Sequence, residues 1–152
     1  MRRRLFHGTW QGLAPIAALT AFAPVAQGSA PFLAVTVPPG QSVRQLIAGT
    51  FVEKVRCTEA CIATTNLVIS ADLAKQLHFP SVKAKQPYAI ALIATPLKAG
   101  EWTTVRLRAG SQARPLLAKS AGSIRIDGVI YGRSRSNASH KGAGGWSLLL
   151  RR

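Results

Sequence analysis

From residue 102 to residue 108 the chain reads Trp-Thr-Thr-Val-Arg-Leu-Arg. On an extended backbone Thr103, Val105 and Leu107 share one side, and Trp102, Thr104, Arg106 and Arg108 share the other. A period of two marks a half-buried strand, here with a basic wet face. The stretch 123–131 repeats the pattern, with Ile124, Ile126 and Ile130 inward and Arg125, Asp127 and Tyr131 outward. Further β-rich runs cover 32–37, 50–56, 62–69, 88–95 and 146–151. Pro38-Pro39-Gly40 closes the first run. Lys98-Ala99-Gly100-Glu101 reads as a hairpin turn, and the Gly/Ser-rich stretch 132–145 as a loop before the last strand.

Three short stretches break the period of two. Residues 42–49 read as one or two helical turns, capped by Ser42 and ended by Gly49. Residues 71–77 follow a capping Ser70 and place Leu73, Ala74 and Leu77 on one face. Residues 111–119 admit a helical turn because Pro115 falls near its start. Seven short strands at roughly ten-residue spacing predict an all-β, two-sheet sandwich with short helical turns between strands.

The first thirty residues do not belong to that pattern. Arg2-Arg3-Arg4 precedes an apolar run from Leu13 to Ala26, and small residues follow at 28–30. That is the layout of a secretory signal peptide. Cleavage is expected between residues 26 and 30, preferably after Gly28, because Pro31 disfavours a cut after Ala30. Arg3-Arg4-Leu5-Phe6 also resembles the twin-arginine export motif, from which His7-Gly8 departs. The apolar run is short, and Pro15 and Pro24 interrupt it, so no membrane span is expected in the mature chain. The organisation read from the sequence is therefore a signal peptide at 1–28 and one domain at 31–152. The domain is expected outside the cell or at its envelope.

Export changes how the charge and the cysteines are read. Twenty Lys and Arg stand against 5 acids; the leader carries three of the twenty, which leaves a mature net charge of +12. Such an excess favours polyanions: cell-wall polymers, nucleic acid or anionic lipid. No sequence-specific nucleic-acid motif is present. Cys57 and Cys61 are the only cysteines. In an exported domain such a pair reads first as a disulfide. Four steps along a strand would cover roughly 13 Å, so a bond between them requires residues 58–60 to turn back. Zinc would want about four ligands, and neither His78 nor His140 lies at ligand spacing. Thioredoxin-like redox motifs carry two intervening residues, where this chain has three. No metal or cofactor is expected.

The sequence offers little for catalysis. Five scattered acids make a poor glycosidase pair, and no nucleophile elbow, phosphate loop or zinc-protease motif occurs. An enzyme is not expected. The candidate binding surface is a basic, partly aromatic sheet face made of Trp102, Arg106, Arg108, Arg125, Tyr131, Arg133 and Arg135. Such a face would meet phosphates electrostatically and stack on sugars or bases.

The run from Val55 through Cys61 to Ser70 and Leu77 resembles immunoglobulin/fibronectin-like modules of exported actinobacterial proteins. Those modules carry a C-x-x-x-C loop after a basic strand, then a strand and a short helix ending in Leu-Gly-Leu. A Leu-Lys-Ala-Gly turn, here Leu97 to Gly100, precedes a Val/Arg/Leu strand, and Arg-Arg often closes the module, as Arg151-Arg152 does here. Leu77-His78-Phe79 departs from the Leu-Gly-Leu pattern. The resemblance spans 42–152 and implies an immunoglobulin-like sandwich, export and no shared catalytic activity. The resulting expectation is an exported, non-catalytic module with a structural or adhesive role. The alternative is a basic module that binds a polyanion or glycan.

Overall fold

The computed structural model describes residues 32–152; the expected signal peptide and its cleavage point lie outside the described residues. Alternation builds the first sheet. In β2 (Phe51–Cys57) the odd positions are buried, while Lys54 points to water. This strand pairs antiparallel with β1 (Leu33–Thr36) on one side and β5 (Thr103–Leu107) on the other. The strands of the second sheet are β3 (Cys61–Ile69), β4 (Tyr88–Leu97), β6 (Ile124–Ser134) and β7 (Lys141–Leu150). Their order is β4-β3-β6-β7, also antiparallel throughout. Phe51, Val55, Val105 and Leu107 of the first sheet share one core with Leu67, Ile90, Ile126 and Ile130 of the second. The all-β, two-sheet, seven-stranded expectation holds.

The helical turns form where the caps stand. Ser42 and Gln45 make a reciprocal capping box on α1 (Val43–Ala48), and Gly49 ends it at φ 82°, a left-handed backbone that suits glycine. Ser70 caps α2 (Ala71–Gln76). Pro115 lies in the first turn of α3 (Ala113–Ala118), where its missing N–H is harmless. Val43, Leu46, Ala113 and Leu117 join the core.

The chain turns back at the Cys57–Cys61 disulfide as expected, and because β2 and β3 lie in different sheets the bend is an arch across the sandwich. Two local readings change. Residues 98–101 likewise carry the chain from one sheet to the other and form no hairpin. The glycine-rich stretch is largely strand, since β6 runs to Ser134 and β7 starts at Lys141. Its glycines serve close packing. A Cβ on Gly142 would lie 2.9 Å from Phe32 Cδ1, and one on Gly145 would lie 2.9 Å from the Gly128 carbonyl oxygen.

Candidate anion-binding site

The site depends on how two acids are held. Glu53 lies on the inward side of β2 and is fully buried. Thr65 Oγ1 and Trp146 Nε1 donate to its two carboxylate oxygens, the latter at 2.9 Å, which ties the first sheet to the second. Burial pushes the Glu53 carboxyl above its usual value, against the opposing pull of these two donors. Trp146 also stacks on Phe51, with ring centroids 5.6 Å apart. The alternation Phe51, Glu53, Val55 was the available sign that Glu53 faces inward.

Glu59 sits within the five-residue ring closed by Cys57 and Cys61, whose Cα atoms are 6.3 Å apart. Ser134 Oγ donates to its Oε2 at 3.0 Å and Ser136 Oγ at 3.2 Å, while His140 Nδ1 lies 2.6 Å from its Oε1. The Arg135 amide donates to the Ala60 carbonyl at 2.9 Å. The disulfide ring is thus the seat of the β6–β7 loop. The His140 and Ser134 bonds hold the Glu59 carboxyl below its usual value.

The seven basic and aromatic candidates do not share one face. Trp102, Arg106 and Arg108 lie on the outer side of the first sheet and just beyond the end of β5. Arg125, Tyr131, Arg133 and Arg135 lie on the outer side of the second sheet and just past its end. The single face expected from the sequence is therefore split across the sandwich, because β5 and β6 pair into different sheets. The ring of Trp102 already has a partner: the Arg56 guanidinium stands 4.9 Å from its centroid.

The β6 group gains a member that sequence reasoning missed. Lys141 is the direct cross-strand partner of Arg133. Like charges set opposite each other destabilise a sheet. Among the described residues no other register pair joins two cations, and the one contact of a carboxylate with a basic side chain within 4.0 Å is His140–Glu59. Beside Arg133 opens a cleft of about 440 Å³ lined by Ile62, Arg133, Ser134, Arg135, Ser136 and Ala138. Tyr131 and Arg133 stand roughly 7 Å apart along β6, two residues of strand, and Arg135 lies just past its end. The lysine was legible only once the register of β7 was known.

No family model matches the chain, and neither a curated protein nor a solved structure is similar enough to register.

Proposed function

We propose that the chain is an exported, non-catalytic module of immunoglobulin-like type that adheres to anionic material of the cell envelope through the β6–β7 end of its second sheet. The Arg133–Lys141 pair carries this reading. A fold that aligns two cations, with a third beside them and no carboxylate within ion-pair distance of any of the three, is at ease when an anion lies between them. The strand orders 1-2-5 and 4-3-6-7 support the immunoglobulin-like assignment. The non-catalytic part is supported by the commitment of two of the five acids: Glu53 inside the core, Glu59 to the loop it holds.

Retention on heparin or polyphosphate resin at low salt tests the reading. Arg133→Ala with Lys141→Ala is expected to elute earlier, its salt dependence shallower by roughly one power of salt concentration per cation removed. Arg106→Ala with Arg108→Ala, on the opposite face, removes the same charge and is expected to lose less. Equal losses from the two pairs, or no retention at all, would refute the assignment.

A further inference from the structure

A soluble polyanion accounts for Arg133, Arg135 and Lys141, but not for the surface that continues from them. The next two rows of paired positions on the outer face, centred on Thr64–Tyr131 and Asn66–Val129, contain no charged residue. Large apolar side chains stand out of this plane: Leu92 is 71% exposed, Leu149 68%, Tyr131 56% and Ile62 46%. Trp102, on the other side of the sandwich, is the remaining exposed large hydrophobic among the described residues. At the far end Arg125 pairs with Leu149, so cations flank the apolar plane at both ends. Asp127, half-buried two residues from Arg125, is the acid on this face.

We infer that the outer face of the β4-β3-β6-β7 sheet lies flat on an anionic lipid bilayer, its arginines and Lys141 at the phosphates and its leucines in the interface. The inference rests on the reading of the basic end given above and names the partner. Charge complementarity selects the occupant. A second copy would bring further cations to the basic ends, which like-charge repulsion disfavours. A fully hydrophilic polymer would leave Leu92 and Leu149 in water. An anionic bilayer satisfies both parts at once: basic groups gain from the negative surface, aromatic rings favour the headgroup level, and buried apolar area adds affinity. The described residues contain no helix long and apolar enough to cross a membrane.

The test is co-sedimentation of the mature chain with vesicles of phosphatidylcholine alone or with about one third phosphatidylglycerol, beside heparin retention. Binding is expected to the anionic vesicles, at least about tenfold above the neutral ones. Leu92→Ser with Leu149→Ser alters exposed positions only; it is expected to weaken vesicle binding about tenfold and leave heparin retention unchanged. Arg133→Ala is expected to weaken both, about fivefold on vesicles. Vesicle binding indifferent to the leucine changes overturns the lipid assignment. So does displacement from vesicles by polyglutamate but not by soluble phosphate polymers, which assigns an acidic polypeptide. Heparin binding without vesicle binding also overturns it, yet leaves the polymer reading standing. Binding to neither overturns both.

Discussion

At the scale of single residues, the two placed carboxyls respond to pH in opposite directions. Glu53 has its carboxyl raised by burial, so the folded state holds a proton that the unfolded chain releases. Its contribution is complete at acid pH and declines as pH rises from the ordinary value of 4.5 through the raised folded one. Glu59 is depressed by His140 and Ser134, so its contribution is present above 4.5 and is lost as pH falls through the lower folded value. The windows lie on either side of 4.5 and separate cleanly. Glu53→Gln is expected to remove the decline on the alkaline side, read as urea midpoints across a pH series. A variant that keeps the wild-type slope would show that Glu53 is not its source. His78 is a different residue-scale case. Its φ of 61° puts it in the left-handed region just past α2, the place of glycine in the Leu-Gly-Leu pattern. A side chain there costs about 1 kcal/mol.

At the scale of elements, β6 and β7 depend on what is absent from their glycines. Gly128 is the register partner of Trp146, and a Cβ on it would come within 2.2 Å of the indole Cε2. Gly128→Ala is therefore expected to displace the indole from Phe51 and Glu53, lowering stability by about 1–3 kcal/mol. Denaturant midpoints and tryptophan fluorescence would report it; an unchanged midpoint would mean the ring moves freely. The same pair shows what was legible in the sequence. The period-two runs at 103–107 and 124–131 and the caps Ser42, Gly49 and Ser70 have local causes, and a linear reading finds them. Glycine in series reads as loop, because its use as packing space exists only once Phe32, Leu33 and Trp146 have arrived from elsewhere in the chain. Strand partners are hidden for the same reason: a hairpin and an arch present one pattern to the eye, and only core geometry distinguishes them. That is why seven candidate positions fell on two faces, and why Lys141 went unnoticed.

At the scale of the whole molecule, the disulfide stiffens little and organises much. Chain-entropy reasoning assigns a five-residue ring about 2 kcal/mol. Cys57→Ser with Cys61→Ser is expected to lower stability by about that amount, measured by urea unfolding. It is also expected to reduce heparin retention under conditions where the variant is still folded, since Glu59 would no longer be fixed beneath Ser134, Ser136 and His140. Undiminished retention by the folded variant would separate the ring from the cationic end. Charge is distributed on the same scale: both outer faces are basic, so bulk electrostatics attracts anions from any direction, while the second sheet alone adds the cleft and the apolar plane.

The arch has a kinetic corollary. β2 is the middle strand of its sheet and β3 an inner strand of the other, and only residues 58–60 separate them. Once oxidised, a collapsing polypeptide starts with the crossing between layers already tethered, and the search for distant partners begins from that corner with less loop entropy to lose. The doubly substituted serine chain must find the corner by diffusion. Its refolding rate, more than its unfolding rate, should carry the difference, and equal refolding rates would mean that the corner forms late.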